Sequence, residues 1–339
     1  VNGEEAYPRM LDAIDKARDS IYLASYIFDS RGIGQRFIDS LSAARARGVE
    51  VRVLIDGVGR LYSWPRADRK LRKAGVPVAR SLPPSVLPPR FTLKVRNHRK
   101  SLVVDGSLAF TGGMNIRNDH LVQSGKTSHR AEDIHFMLDG PIVAQLQKVF
   151  VNDWRFSSSL FINPTLPSFG VRGGACCRVI SDGPNDDMDN LLRILIGAIG
   201  VARHSISIMT PYFLPERQMM GCLQAAALCG VDVRVIVPEQ NNWPLVQWAL
   251  QHNMQEMLQT GIRFWQRPPP FAHSKCIVID DDYALIGSSN LDPRSLRLNF
   301  ELGIEVFDPA LNAELASHYE QIQGYCEPFS AQRLHSRST

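Results

Sequence analysis

The chain repeats itself, and the repeat restricts its fold more than any other feature. "ARDSIYLASYIF" at Ala17 returns as "ARHSISIMTPYF" at Ala202, an offset of 185 residues, and "RGVEVRVLID" returns as "CGVDVRVIVP", Gly48 against Gly230, at an offset of 182. "HRKSLVVDGSLAFTGGMN" returns as "HSKCIVIDDDYALIGSSN" at an offset of 175, held from His98 against His273 through Asn115 against Asn290. Three matches in the same order describe a duplicated domain whose insertions fall in the connections. Each copy predicts an apolar-periodic helix (Met10 to Arg18; Leu191 to Arg203), a strand, a second helix ending at glycine and an alternating strand. That rhythm is α/β, and it predicts a largely parallel mixed sheet flanked by helices in each copy. The copies are read as residues 1–155 and 177–339, joined by 156–176, a stretch rich in Ser, Pro and Gly with neither period.

A chain of 339 residues suits two domains and has ample apolar residues for their cores. Its six cysteines show no CxxC spacing and too low a density for a disulfide framework, so reduced thiols in a cytosolic setting are expected, with no function assigned to them. The apolar run Ile194 to Ala202, between Arg193 and Arg203, is far short of the ~20 residues that span a bilayer. The chain begins at Val1 rather than methionine, which is compatible with a leader or anchor ahead of it.

The third repeat carries the chemistry. In a strand, residues i and i+2 share a face, so His98 projects with Lys100 and His273 with Lys275. Asp105 and Asp280 complete the two candidate catalytic motifs but fall on the opposite face, where a carboxylate at a strand end has a structural use. Histidine and carboxylate are common metal ligands, yet an ammonium beside each histidine repels a cation, and no further His or Cys stands at ligand spacing. Neither metal nor any other cofactor is expected.

Two imidazoles, two lysines and the amides of Asn115 and Asn290 suit an anion, and a phosphodiester above all. The lysines and asparagines would hold the non-bridging oxygens and stabilise charge in the transition state. One neutral imidazole attacks phosphorus while the other, protonated, donates to the leaving alkoxide, and the second imidazole then deprotonates the incoming hydroxyl. Each ring also needs an acceptor to fix its tautomer and support positive charge. Asp133 in "RAEDIHFMLDGP" and Glu301 in "RLNFELGIEVFDP" lie on strand-like stretches after each asparagine and are the carboxylates best placed by the sequence for orienting the histidines.

The paired motifs resemble those of the phospholipase D superfamily. The surrounding segments "NGEEAYPRMLDAIDKARDSIYLASYIF", "RGVEVRVLIDGVG", "NHRKSLVVDGSLAFTGGMNI", "DGPIVAQLQKVFVNDW", "TPYFLPE" and "GSSNLDPRSLRLNFE" are similar to bacterial cardiolipin synthases of that superfamily along nearly the whole chain. The resemblance implies two α/β/α halves of the phospholipase D fold with an active site at their interface. It implies a nucleophile at His98, a general acid and base at His273, and phosphate binding by Lys100, Lys275, Asn115 and Asn290. The reaction implied is condensation of two phosphatidylglycerols to cardiolipin and glycerol, by a peripheral enzyme on the cytoplasmic face of a bacterial inner membrane. Its partner would be anionic phospholipid at a membrane surface, and no nucleic acid is expected. Two other functions stay open at this point: hydrolysis to phosphatidic acid, with water as acceptor, and nuclease action on a nucleic-acid phosphodiester.

Charge is concentrated before the first motif. Arg60 to Lys100 holds twelve Lys and Arg against Asp68 alone, +11 in a chain of +4. Gly75 and His98 are 23 residues apart, whereas Gly261 and His273 are 12 apart. The extra sequence, "SLPPSVLPPR" followed by Phe91, joins apolar residues to flanking arginines and reads as a surface that dips into an anionic bilayer.

Overall fold

The computed structural model describes residues 1–83, 95–124, 129–164, 173–185, 187–241 and 244–330. The insertion expected to touch the bilayer falls almost wholly at 84–94, outside the described residues. The chain divides into two compact units, Val1–Gly174 with Leu298–Leu302, and Ala175–Arg297 with Gly303–Thr339. The short segment Leu298–Leu302, which the repeat assigns to the second copy, thus packs with the first.

The first unit runs α1 (Asn2–Lys16), β1 (Ser20–Ser25), α2 (Ile33–Ala46), β2 (Glu50–Asp56), α3 (Ala67–Lys73), β3 (Val78–Ser81), β4 (Ser101–Val104), β5 (Leu108–Gly112), β6 (Ala131–Glu132), β7 (His135–Asp139) and α4 (Ile142–Ser157). Its sheet has the order β3-β2-β1-β4-β5-β7. Helix α1 starts well before Met10 because Ala6 and Tyr7 continue the buried stripe of Met10, Leu11 and Ile14 across Pro8. The Tyr7 hydroxyl donates to the Asn115 carbonyl (2.7 Å) and accepts from the Arg117 amide (3.3 Å), fastening the helix to the chain that leaves the motif. Strand β1 is covered on both faces: Ile21 and Leu23 join the core with Tyr7, Ile14 and Phe37, while the Tyr22 ring stacks on Phe150 of α4 at 5.2 Å. The layering is α/β/α.

The second unit runs β8 (Cys176–Asp182), α5 (Asn190–Val201), β9 (Ser205–Met209), α6 (Arg217–Leu228), β10 (Asp232–Pro238), α7 (Pro244–Leu258), β11 (Arg263–Arg267), β12 (Phe271–Ala272), β13 (Cys276–Ile279), β14 (Tyr283–Gly287), α8 (Pro293–Arg297), β15 (Glu301–Phe307), α9 (Pro309–Gln323) and β16 (Glu327–Pro328). Its sheet has the order β16-β11-β10-β9-β13-β14-β15-β8. Ile206 and Ile208 of β9 share a core with Leu195 of α5, Leu223 of α6 and Met254 of α7, and α9 lies against β9, β13 and β14. Among the described residues no helix is long and apolar enough to cross a membrane.

Both sheets are mixed, and their parallel part is narrower than the βα rhythm predicts. Strands β1, β2 and β3 pair in parallel, as do β9, β10 and β11. The motif strands pair antiparallel, β4 with β1 and β5, and β13 with β9 and β14. For the hairpin pairs the reason is local: β4 and β5 are joined by a turn at residues 105–107, too short for the crossover that parallel strands require.

Those turns fix the role of Asp105 and Asp280. Each has a positive φ of 50°, a left-handed conformation that aspartate adopts more readily than most residues. The Asp105 carboxylate accepts from the amides of Arg18, Asp19 and Ser20 at 2.8–3.2 Å, and that of Asp280 from Arg203, His204 and Ser205 at 2.8–2.9 Å. Each therefore ties its hairpin to the start of the strand beside it. Burial pushes the Asp280 carboxyl up, but the three amides outweigh it and hold the group below its usual range. Such a group contributes stability above its unfolded pKa, near ~4, and that contribution is lost as pH falls through the lower folded value. Replacing either aspartate by alanine should lower unfolding free energy by about 1–2 kcal/mol, measured by urea titration. Asp280→Asn should also flatten the fall in stability on the acid side; an unchanged acid limb would contradict this role.

Candidate active site

His98 lies just before β4, on extended chain braced from several directions. The Asn97 amide donates to Asp56 Oδ2 at the end of β2 (2.9 Å), and the Asn97 side-chain amide donates to Asp153 of α4 (3.0 Å). The His98 amide donates to the Phe300 carbonyl (2.9 Å), and the Phe300 amide to the Arg96 carbonyl (2.8 Å). This ladder sets Glu301 opposite the His98 ring. Nδ1 lies 3.0 Å from Oε1 and 3.1 Å from Oε2 of a carboxylate with no solvent exposure. A carboxylate can only accept, so Nδ1 carries the proton and the lone pair of the neutral ring resides on Nε2.

Further side chains support this pair. The Tyr26 ring sits 5.0 Å from the His98 ring, and Lys100 Nζ lies 5.6 Å from the Tyr26 centroid while donating to the His98 carbonyl (2.7 Å). Lys100 is 2% exposed, so its charge is not spread into solvent. Arg99, also buried, donates through Nε to the Glu301 carbonyl (2.9 Å), pairs with Asp153 and lies over the Phe300 ring at 5.3 Å. Asp56 also accepts from the amides of Val58 (2.8 Å) and Gly59 (2.7 Å). Burial pushes the Asp56 carboxyl up, against those hydrogen bonds.

Asn115 is buried, and its Oδ1 accepts from the amide of Ile27, the residue after Tyr26 (3.0 Å), which directs its NH2 group elsewhere. Asp133 is 1% exposed, and one of its oxygens accepts from the Ile134 amide (2.8 Å). The Gly-Gly turn explains itself here. A Cβ on Gly113 would stand 2.5 Å from both Asp133 oxygens, and Gly112, at φ 151°, would place one 2.6 Å from the Ile134 carbonyl. The ring nitrogens of His135, next along, are covered by protein, and burial lowers its pKa to about 4, so it stays neutral.

In the second unit, Lys275 Nζ donates to the His273 carbonyl and stands 3.2 Å from His273 Nδ1. An ammonium has only protons to offer, so Nδ1 accepts in that contact when the ring is neutral; protonation of the ring requires the ammonium to turn to its other acceptor, the His273 carbonyl. The Phe271 ring is 6.1 Å from that of His273, and the Asn290 amide donates to Ser295 of α8 (3.2 Å).

The structure therefore gathers His98, Lys100 and Glu301 around Tyr26, with Asn115 one residue away, and sets His273 beside Lys275. It does not bring Asp105 to His98. Asp105 binds Arg18 to Ser20, at the far end of β1 from Tyr26, roughly 20 Å along the strand at ~3.3 Å per residue. Asp105 and Asp280, expected among the catalytic groups, are instead engaged by backbone amides at the opposite strand end. Tyr26, Asp56, Arg99 and Asp153 escaped the sequence reading. Asp56 left a signal, since it closes "VRVLID" at the carboxyl end of a parallel strand, where functional groups collect in α/β sheets.

Comparisons with known proteins identify the family. The family model described as "Cardiolipin synthase, PLD-like domain" matches residues 10–154 and 195–323. The chain is 32% identical over 324 residues to the major cardiolipin synthase ClsA of Bacillus subtilis (strain 168), covering 94% of this chain and 67% of that protein. It is 34% identical over 320 residues to cardiolipin synthase A of Pseudomonas aeruginosa (strain LESB58), covering 94% of this chain and 65% of that protein. The chain thus spans about two thirds of the length of these curated relatives. Among solved structures it is similar in fold to phosphatidylserine synthase from Haemophilus influenzae Rd KW20, at TM-score 0.72 and 18% identity over 96% of this chain and 85% of that one. Polyphosphate kinase from Porphyromonas gingivalis follows at TM-score 0.62 and 16% identity, over 94% of this chain and 45% of that one.

The Gly113 contact makes a prediction independent of any reaction. Gly113→Ala should lower unfolding free energy by about 1–3 kcal/mol, because the new methyl must displace a buried carboxylate. A urea midpoint equal to that of the parent chain would show that Asp133 yields without cost.

Proposed function

Because the chain belongs to the phospholipase D superfamily, among its cardiolipin synthase-like domains, we propose that it is a phosphatidyltransferase that condenses two phosphatidylglycerols to cardiolipin and glycerol. The observation that carries this reading is the His98 ring, held through Nδ1 by the buried Glu301 carboxylate with Lys100 alongside. A ring so held offers the Nε2 lone pair to an electrophile, and its carboxylate partner offsets the positive charge that the ring then acquires.

In the first step Nε2 of His98 bonds to phosphorus of one phosphatidylglycerol, and the bond from phosphorus to the headgroup glycerol oxygen breaks. His273, protonated, gives its proton to that oxygen, and glycerol leaves. In the second step the neutral His273 takes the proton of a second phosphatidylglycerol's headgroup hydroxyl. That oxygen bonds to phosphorus, the phosphorus–nitrogen bond breaks, and cardiolipin leaves with both rings restored. Lys100, Lys275 and the amides of Asn115 and Asn290 hold the non-bridging oxygens throughout. Asp133 acts as a second carboxylate that orients an imidazole. No step draws on a metal ion. The enzyme works at the surface of an anionic membrane, on the cytoplasmic face of a bacterial inner membrane.

Thin-layer analysis of products from phosphatidylglycerol vesicles tests the reading. Cardiolipin is the expected main product, whereas phosphatidic acid alone at every lipid density would make the chain a hydrolase. Cleavage of single-stranded DNA with no action on vesicles would establish the nuclease.

Glu301→Gln keeps the shape of the side chain but removes its charge. It should lower kcat by about 10- to 100-fold with a smaller change in KM, because the lost stabilisation belongs to the charged ring rather than to bound lipid. A rise in KM at unchanged kcat would assign Glu301 to binding instead.

A further inference from the structure

One turn of the first unit holds large apolar side chains in water at the edge of the His98 cluster. Residues 57–66 connect β2 to α3, and in them Leu61 is 49%, Tyr62 58% and Trp64 71% exposed. Such exposure is costly for side chains of this size. The turn is nonetheless built rather than loose. Asp56 binds the amides of Val58 and Gly59, and a Cβ on Gly59 would stand 1.9 Å from the Tyr26 carbonyl. The buried Ser63 hydroxyl accepts from the Ser30 amide (3.0 Å), so its neighbours on either side are turned out. Asp68, fully buried, binds Arg60 (3.1 Å) and Arg80 (2.7 Å) and braces the start of α3.

Charge identifies what such a surface meets. The one acid between residues 57 and 75 is the buried Asp68, while Arg69, Arg72 and Lys73 of α3 are exposed. The guanidinium of Arg66 lies over the Trp64 indole at 6.0 Å. An indole and a leucine beside exposed cations match the interface of an anionic bilayer, where rings settle at headgroup depth and cations meet lipid phosphates. The turn also adjoins the chemistry: the Tyr62 ring is 6.4 Å from that of Tyr26, which is itself 5.0 Å from His98.

We propose that Leu61 and Trp64 enter the interfacial layer of an anionic membrane, with Arg66 and the exposed cations of α3 on its headgroups, so that the first unit docks with its Tyr62–Tyr26 face against the lipid. This rests on the reading that phospholipid is the substrate.

Trp64 is its own probe. Emission from the intact chain, minus that of Trp64→Phe to remove the other tryptophans, should shift to the blue on phosphatidylglycerol vesicles. It should be quenched by bromine on the acyl chains, with a weaker response on phosphatidylcholine. Leu61→Asp/Trp64→Asp should sediment with phosphatidylglycerol vesicles at least about tenfold more weakly. Emission that does not move on vesicles the chain binds, equal sedimentation of the variant, or no vesicle binding at all would each overturn the proposal; a protein partner would then be the better occupant of the turn. Turnover of phosphatidylglycerol in detergent micelles separates the two readings. Product there with a silent Trp64 removes the docking surface alone, whereas a responsive Trp64 with no product on any lipid preserves the surface and removes the assigned reaction.

Discussion

The contact between His98 and Glu301 is the constraint on which the first unit's site depends. A carboxylate with no exposure is far more costly to bury alone than in company, so the segment that carries it must be fixed in more than one place. Backbone bonds between residues 96, 98 and 300 fix it on one side, and the Arg99 side chain on the Glu301 carbonyl on the other. Asp153 then holds both Asn97 and Arg99, and Asp56 holds the Asn97 amide. The histidine is thus gripped through the residues on either side of it in sequence. Loss of any one grip would rotate the ring relative to its carboxylate.

The duplication shows which parts of a copy are scaffold. Asp105 and Asp280 make the same turn, with the same φ and the same three successive amides, so this piece of each motif serves the hairpin wherever it occurs. Period-2 alternation set it on the face opposite the imidazole, and the structure sets it at the opposite strand end. The chemical members sit at the other end of the same strands, where β1 and β4 deliver Tyr26, His98 and Lys100 together.

Much of this was legible in the sequence because repeated residues cannot be explained by one local need. The repeats revealed the α/β order and the paired histidines and lysines, and the strand-like stretches after each asparagine supplied two candidate carboxylates. They could not reveal that Glu301 leaves its own copy to serve with Leu298–Leu302 in the first unit, because the repeat register places it with the second. Nor could they reveal Tyr26 or Asp153, single aromatic and acidic residues in apolar-periodic segments whose default use is packing or surface. The antiparallel pairing within each motif hairpin followed from turn length, a signal that the stronger βα rhythm masked. Gly113 looked like a turn residue, but its lack of a side chain answers to the Asp133 carboxylate above it, a contact between residues twenty positions apart.

Arg99 shows how far the copies have parted. The second motif has Ser274 at that position, so the buried ion pair with Asp153 has no counterpart there. A buried pair of this kind is weak grounds for stability, since the desolvation of two ions offsets much of their attraction, and apolar replacements of equal volume are often no worse. Its yield is geometric. The guanidinium fork reaches a carbonyl, a carboxylate and a ring face at once, and all three belong to the elements that aim Glu301 at His98. A methionine of similar volume would fill the space but leave the Glu301 carbonyl without that donor and the buried Asp153 carboxylate without its guanidinium. The ion pair of the first copy thus holds the angle between an imidazole and its carboxylate, and that angle determines which ring nitrogen the carboxylate engages.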